Sequence, residues 1–514
     1  MTGGRRVATN VLFNVASQVW LTLLVIVTVP IVLHRIGPAA YGIFVLASLV
    51  LGYTALLDFG VTPAVIRSIA VHHATGDHVR LQRIIGTALT LLIVLALVVG
   101  GLLAIVTPLV VDSVLHLPAG LRDDARFVLY IAAAGFAFNM VLLLFVAIAQ
   151  GLQRLDLFAS RTLVLGTLTA TGQILAVSLG GGLRGLALVT IGVNVLSLVV
   201  FVFVSRRLLP DIRFRPGFDR SALGELAGFG SMKFLNQVAV QGIFHVDRLI
   251  VAAFVPIAFV SYYSVPVSMC QKFVLVQQAV TNAFFPAAAE LHALGESERF
   301  QRLYVSAAKL GLVGLLPVMI MPSILAGPIL SVWIGPAFAV ASAPILAVLA
   351  VAYGLVAASA VAGFTADATG HPDWSAGVNV AHAVGNVALM FILVPRFGAI
   401  GAAYGLLLTG VSLLITMTWV VHRWLVRVPL VTMARQALFR PVVAGAVLGM
   451  YSWLVGMRVH RLLEVLAALL VGAAVYVGAT LLLRVWDERE LALLRSLVAG
   501  VRPGRHHMER ASEI

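Results

Sequence analysis

The sequence is poor in charged residues. Only 11% of its 514 residues are charged, 61% are hydrophobic, and the mean hydropathy is +1.04. A soluble domain is about half apolar and about a quarter charged, and an aqueous fold of this length would leave more apolar surface than its interior could hold. The composition therefore argues against a soluble enzyme, a nucleic-acid-binding protein and a secreted scaffold, and it predicts an all-α polytopic membrane protein.

Several motifs that carry chemistry are also missing. Cys270 is the only cysteine, so the chain can form neither an intramolecular disulfide nor a metal site built on thiols. The sequence contains no G-x-x-x-x-G-K-[ST] phosphate loop and no H-E-x-x-H zinc motif. We therefore expect no enzymatic activity, no cofactor and no metal, and an H⁺ or Na⁺ gradient rather than ATP as the energy source.

Apolar segments recur along the whole chain. A helix needs about 20 apolar residues to cross the hydrocarbon core of a membrane, and about fourteen segments meet this criterion. They are residues 11–34, 41–62, 85–110, 127–149, 162–180, 185–205, 227–253, 258–284, 306–330, 342–366, 375–395, 400–420, 441–457 and 463–483.

The basic residues lie mainly on one side of these spans. With the N-terminus in the cytoplasm, 25 of the 35 Lys and Arg residues fall on the cytoplasmic side and 8 on the opposite side. Because basic residues hold loops in the cytoplasm, this bias accounts for the net charge of +14 without a nucleic-acid partner. We expect a multi-pass protein of the bacterial inner membrane with both termini in the cytoplasm.

Three short segments of the first half recur in the second half. Residues 40–42 correspond to 259–261, Pro108-Leu109 to Pro328-Ile329, and residues 182–187 to 398–403, at offsets of 219, 220 and 216. Six helices per repeat predict two bundles related by an axis along the membrane normal, as in alternating-access transporters. The predicted parts are a six-helix bundle (1–205), a basic linker (206–226), a second six-helix bundle (227–420), two additional helices (421–483) and a cytoplasmic amphipathic tail (484–514).

The seventh span carries a stripe of polar side chains. At steps of 4, 4, 4 and 3 they share one face of a helix, over a length of about 22 Å: Lys233, Gln237, Gln241, His245 and Arg248, with Asp247 beside them. Such groups are costly in hydrocarbon. The pattern therefore favours a water-filled cavity over a set of interhelical hydrogen bonds.

Further polar residues extend this predicted cavity to three other spans. They are Asn14 and Gln18 in the first span, Asp58 and Arg67 in and after the second, and Lys272, Gln278 and Asn282 in the eighth. Cations outnumber carboxylates in the combined set. A net cationic cavity suits an anionic substrate such as a phosphate or pyrophosphate headgroup.

Four stretches carry a resemblance to a known family. They are the opening from Asn14 to Tyr41-Gly42 with Pro30 and Arg35-Ile36-Gly37; Leu57-Asp58-Phe59-Gly60 followed by Arg67; residues 245–250 followed by Tyr262-Tyr263 and Phe285-Pro286; and the Gly-x-x-Gly-x-Ala turns at Gly182 and Gly398. From about residue 8 to 483, the chain resembles the polysaccharide transporter branch of the multidrug/oligosaccharidyl-lipid/polysaccharide (MOP) flippase superfamily, which includes the Wzx-type O-antigen flippases.

The resemblance implies two six-helix bundles plus two extra helices, and a cavity lined by the first, second, seventh and eighth helices. It also implies translocation of an undecaprenyl-pyrophosphate-linked oligosaccharide between leaflets, among membrane lipids and with polysaccharide polymerases as partners. In this hypothesis Arg248, Lys233 and Lys272 attract the pyrophosphate. Gln237, Gln241 and Asn282 hydrogen-bond sugar hydroxyls, and Asp58 or Asp247 is the coupling group.

Three alternatives stay open. A cation-coupled multidrug exporter of the same superfamily would present unpaired carboxylates in its cavity. A membrane enzyme of glycan synthesis would need a large external loop. A non-transporting scaffold would recruit partners through the basic tail.

Overall fold

The computed structural model describes residues 3–228, 230, 234 and 246–487, with side chains from Ser17 onward apart from residues 55, 155, 274–276, 279, 283 and 430. All regular secondary structure in these ranges is helical. In chain order the α-helices are α1 (Gly3–Gly52), α2 (Thr54–Leu57), α3 (Val61–Ala74), α4 (His78–Leu109), α5 (Arg122–Gly151), α6 (Leu155–Ser178), α7 (Gly182–Leu208), α8 (Val246–Phe254), α9 (Ala258–Cys270), α10 (Phe273–Ala293), α11 (Ser297–Ile324), α12 (Ala326–Trp333), α13 (Pro336–Ala368), α14 (Pro372–Phe397), α15 (Ala399–Val421), α16 (Leu430–Met433), α17 (Phe439–Gly456) and α18 (Leu462–Leu482).

Ten helical segments of the described chain are long and apolar enough to cross a membrane. Nine of them each coincide with one predicted span, and the tenth, Ser17–Gly52, covers most of the first span and the beginning of the second, with non-helical backbone at Gly37 between them. They confirm an all-α polytopic membrane protein. Of the other four predicted spans, the second and eighth are interrupted, the fifth corresponds to α6, and most of the seventh lies outside the described residues. The total of fourteen stays a prediction.

The internal contacts divide the chain into two compact units, Met1–Ser264 and Val265–Ile514. The core of the first unit lies among α3, α4 and α5, where Ile85 and Phe136 are fully buried. In the second unit the two helices that follow the predicted repeat, α17 and α18, pack against α11. The predicted bundle boundaries at residues 205 and 227 are a different division of the chain and stay a prediction.

Two predicted spans are interrupted at corresponding positions. In the second span α1 ends at Gly52 and α2 begins at Thr54, and in the eighth span α9 ends at Cys270 and α10 begins at Phe273. Tyr53 and Lys272, which lie in these breaks, are separated by the same 219-residue offset that relates residues 40–42 to 259–261. The helix breaks therefore add a structural correspondence to the three sequence matches.

The connector that follows α7, residues 209–219, is fixed along one face of α4. The side-chain amide of Gln82 donates to the carbonyl oxygen of Arg213 (2.5 Å) and accepts from its backbone N–H (2.7 Å). Two turns further along α4, the hydroxyl of Thr90 makes the same pair of contacts with Gly217, at 2.8 and 2.9 Å. Because Gln82 and Thr90 are eight residues apart, they share a helix face, and an extended segment can lie along both.

Apolar anchors and one ion-pair cluster complete this attachment. Leu209 and Ile212 are buried in the core of the first unit. Beyond the connector, Glu225 accepts a hydrogen bond from Ser68 (2.6 Å) and forms an ion pair with Arg80 (2.9 Å). The predicted basic linker is thus an integral part of the first unit over its described length.

Candidate functional site

A buried pair of charged residues opens the short helix α8. Asp247 and Arg248 are 4% and 9% exposed. One carboxylate oxygen of Asp247 accepts the hydroxyl of Tyr263 on α9 (2.8 Å), and the other accepts the backbone N–H of Arg248 (2.8 Å). Charged groups are almost never buried without partners, and Asp247 obtains its partners from α8 itself and from the following helix.

Two tyrosines lie within electrostatic range of the Arg248 guanidinium. The phenol groups of Tyr41 and Tyr53, both from the first 53 residues, are close enough to feel its charge. The Nε atom of Arg248 is buried and has no hydrogen-bond partner among the described residues. An unsatisfied buried donor on a cation costs about 1–3 kcal/mol or more, and an anionic acceptor would remove that cost. The geometry can therefore bind an anion.

Close backbone packing brings these elements together. A Cβ atom at Gly42 would lie 2.3 Å from the carbonyl oxygen of Ile257, so only glycine allows this approach of α1 to the start of α9. The Ser261 hydroxyl donates to the carbonyl oxygen of Pro38 at 2.5 Å. The segments around residues 40–42 and 259–261, which the repeat relates, thus pack on each other and carry Tyr41 to the vicinity of Arg248.

The second predicted carboxylate, Asp58, caps a helix. It is 3% exposed, and its two oxygens accept the backbone N–H groups of Gly60 (2.9 Å) and Thr62 (3.2 Å) at the start of α3. Phe59 and Gly60 have φ values of 50° and 77°. The Leu57-Asp58-Phe59-Gly60 stretch is therefore a left-handed turn that interrupts the second span and that the Asp58 carboxylate stabilises.

Glycine at position 60 is required twice over. Its φ is in the left-handed region, and a Cβ atom there would lie 2.1 Å from the carbonyl oxygen of Gly230. This contact joins the turn to the chain just before the predicted polar stripe.

The eighth span presents its polar residues beside the helix break. Lys272 precedes the first residue of α10 and is exposed, as are Gln278 and Asn282. The backbone at Lys272 keeps helical φ and ψ values of −69° and −18°, so the interruption is a local irregularity of the helix rather than a free helix end.

The remaining predicted residues are distributed as follows. Gln18 and Arg67 are exposed, and Asn14 lies in α1 with its side chain outside the described residues. Lys233, Gln237, Gln241 and His245 also lie outside the described residues, so the stripe as a whole stays a prediction. The structure groups Asp247 and Arg248 with three tyrosines, at positions 41, 53 and 263, that the sequence reasoning did not single out. Tyr41 and Tyr263 belong to the quoted family motifs, which was the signal available for them.

The described residues thus combine a buried cation that has an unpaired donor with an all-α polytopic membrane architecture. Comparison with solved structures agrees. The chain matches the lipid II flippase MurJ in an inward closed conformation with a TM-score of 0.71, 14% identity, and coverage of 92% of this chain and 99% of MurJ. An inward-facing multidrug resistance MATE family transporter of the MOP superfamily gives 0.64, 15% identity, and coverage of 78% and 95%.

Sequence comparison identifies the family within that class. Residues 32–343 match the model of the polysaccharide biosynthesis protein family, and the chain belongs to this family. A Shigella flexneri protein assigned as an O-antigen transporter is 23% identical over 395 residues, or 77% of this chain and 92% of that protein. These relatives are transporters and flippases rather than enzymes, and the predicted resemblance to the O-antigen flippase branch of the MOP superfamily is confirmed.

Proposed function

We propose that this chain is a flippase that moves a polyprenyl-pyrophosphate-linked oligosaccharide across the bacterial inner membrane by alternating access. The substrate lipid is of the undecaprenyl type, both termini are cytoplasmic, and a polysaccharide polymerase acts on the product. The observation that carries the proposal is the buried Arg248 guanidinium, whose Nε donor has no partner among the described side chains.

Pyrophosphate is the substrate group that fits this donor. A guanidinium presents a planar fork that matches phosphate oxygens, and such charge-assisted hydrogen bonds are the strong ones. The relatives support the same class of cargo, since one is named as an O-antigen transporter and another as a lipid II flippase.

The coupling ion is part of the proposal. We infer that an H⁺ or Na⁺ gradient resets the carrier and that Asp247 suits this role better than Asp58. Both oxygens of Asp58 accept backbone N–H groups, which can only donate and cannot accept a hydrogen bond from a protonated carboxyl group. The hydroxyl of Tyr263, in contrast, can rotate from donor to acceptor when its carboxylate partner is protonated.

The exporter alternative has less support among the described residues. A cation exporter needs carboxylates that are available to the drug or coupling cation. Of the two candidates, Asp58 accepts backbone N–H groups on both oxygens, and Asp247 is adjacent to the cationic Arg248, whose backbone N–H it accepts.

Lipid mass spectrometry on cells that lack this protein tests the proposal. Polyprenyl-pyrophosphate oligosaccharides should accumulate, and the wild-type gene should clear them. Arg248→Gln should fail to clear them, whereas Arg396→Gln, which removes an exposed arginine at the end of α14, should clear them normally. Unchanged lipid intermediates together with retention of cationic dyes would instead establish the exporter.

A further inference from the structure

Two tryptophans and a carboxylate line a cleft in the second unit. The cleft has a volume of about 450 Å³, and its walls include Trp374, Trp424 and Asp373, with Val378 and Val420 among the lining residues. Its size falls within the range of small-molecule sites. Trp374 and Asp373 come from the first turns of α14, and Trp424 comes from the turn that follows α15.

The cleft lies at one end of a pair of candidate membrane-spanning helices. Residues Pro372–Phe397 and Ala399–Val426 are both long and apolar enough to cross a bilayer. The cleft lies between the beginning of α14 and the turn that follows α15. These two ends are adjacent because the two helices are antiparallel. Tryptophan is common near the ends of membrane-spanning helices, and here two tryptophans line the same open cleft.

The charges around the cleft have a definite arrangement. The Asp373 carboxylate is exposed. Its place in the first turn of α14 is favourable for the helix dipole but leaves the carboxylate oxygens uncovered. Outside the cleft, the Arg423 guanidinium carbon lies 5.5 Å from the centre of the Trp424 ring. The cleft therefore has a negative charge, that of Asp373, in its wall and a positive charge, that of Arg423, just outside it.

The rings are held in place by their neighbours. The imidazole of His371 stacks on Trp374, with ring centres 4.4 Å apart and an interplanar angle of 21°. Arg423 provides a corresponding contact for Trp424. Preorganised aromatic walls with a carboxylate are the chemistry that recognises an organic ammonium group, because the faces of aromatic rings attract cations.

We propose that the cleft binds the ammonium group of a membrane phospholipid with an ethanolamine headgroup. The ammonium lies between the two indoles and against the Asp373 carboxylate. The phosphate of the same headgroup meets Arg423, which gives a zwitterion its complementary charges in the right order. The interfacial position selects a lipid over a soluble amine, since Val378 and Val420 continue the cleft as an apolar surface.

Native mass spectrometry of the purified full chain tests this site. The protein in detergent is titrated with phosphatidylethanolamine and, separately, with phosphatidylglycerol that carries the same acyl chains. We expect one phosphatidylethanolamine to be retained preferentially. Trp424→Leu should weaken this binding about threefold to tenfold, and Asp373→Asn about threefold. The matched control is Trp453→Leu, because Trp453 is 58% exposed against 57% for Trp424 but lies on α17, away from the cleft.

Each outcome of the titration decides the proposal. Equal retention of the two lipids, or unchanged binding in both cleft variants, would overturn it. Competition by free phosphoethanolamine at the affinity of the lipid would assign the cleft to a soluble amine and would overturn the lipid assignment. Both cleft side chains are exposed, so their replacement should leave the fold intact. The test does not depend on which cargo the chain transports.

Discussion

Replacement of Asp58 tests whether its carboxylate has a structural role or a role in ion coupling. In Asp58→Asn the remaining amide oxygen can still accept the N–H of Gly60, while the amide nitrogen faces the N–H of Thr62 and cannot accept it. In Asp58→Ala both backbone donors lose their acceptor. The site is 3% exposed, so water does not readily replace the lost partner.

The hydrogen bonds set the size of the effect. A helix cap contributes about 0.5–2 kcal/mol, and each buried donor left without a partner costs about 1–3 kcal/mol. We therefore expect Asp58→Ala to lower the free energy of unfolding by about 2–4 kcal/mol. Asp58→Asn keeps the shorter of the two bonds, 2.9 against 3.2 Å, and should cost about 1 kcal/mol.

Thermal unfolding of the purified variants in detergent measures the stability effect, and lipid mass spectrometry of complemented cells measures transport. Asp58→Asn should transport nearly as well as the wild type, because a cap needs an acceptor rather than a titrating proton. The control is Asp123→Asn, whose side chain is 84% exposed and should affect neither readout. A stable Asp58→Asn protein that has lost transport would refute the capping role and restore Asp58 as a coupling group.

Two further predictions follow from the first unit. Gly60→Ala should lower the free energy of unfolding by at least about 2 kcal/mol, because it combines a left-handed φ with a Cβ atom 2.1 Å from the Gly230 carbonyl oxygen. The control Gly101→Ala, where a Cβ atom would meet nothing within 4 Å, should be neutral or slightly stabilising. Equal stability of the two variants in thermal unfolding would contradict this prediction. Burial raises the pKa of Glu225, but hydrogen bonds from Ser68 and Arg80 outweigh this effect and hold that pKa below its ordinary value. The carboxylate therefore stabilises the fold above the unfolded pKa of about 4.3. This stabilisation is lost as the pH falls through the folded pKa. Below about pH 4.3 the free energy of unfolding should accordingly depend less steeply on pH in Glu225→Gln than in the wild type. An unchanged slope would show that Glu225 does not contribute to this pH dependence.

The architecture could largely be predicted from the sequence because a membrane imposes one simple rule. A spanning helix must be about 20 apolar residues long, and ten predicted spans satisfy the rule in the structure. The second and eighth predicted spans are interrupted at Tyr53 and at Gln271–Lys272. Apolar content alone reveals neither these interruptions nor the left-handed turn at residues 58–60. Tertiary contacts stabilise that turn, and the approach of Gly60 to Gly230 is one of them.

The candidate site was predicted only in part. A buried ionisable residue in a membrane is a functional candidate by default, and this rule found Arg248, Asp247 and Asp58. It could not distinguish their roles, because the roles depend on the backbone and hydroxyl donors that fold against each carboxylate. The tyrosines were missed because phenol groups are common in apolar segments, and only the fold carries Tyr41 and Tyr53 to Arg248.

Translocation by the purified protein in liposomes is the most direct test of the central claim. Polyprenyl-pyrophosphate oligosaccharide is incorporated with the protein, and the fraction of sugar accessible to an external glycan-modifying enzyme is followed over time. The wild type should expose the sugar faster than protein-free liposomes do, and Arg248→Gln should fall to the protein-free rate while Arg396→Gln does not. A wild-type rate equal to that of empty liposomes, or full activity in Arg248→Gln, would contradict a flippase that holds its substrate through this buried arginine.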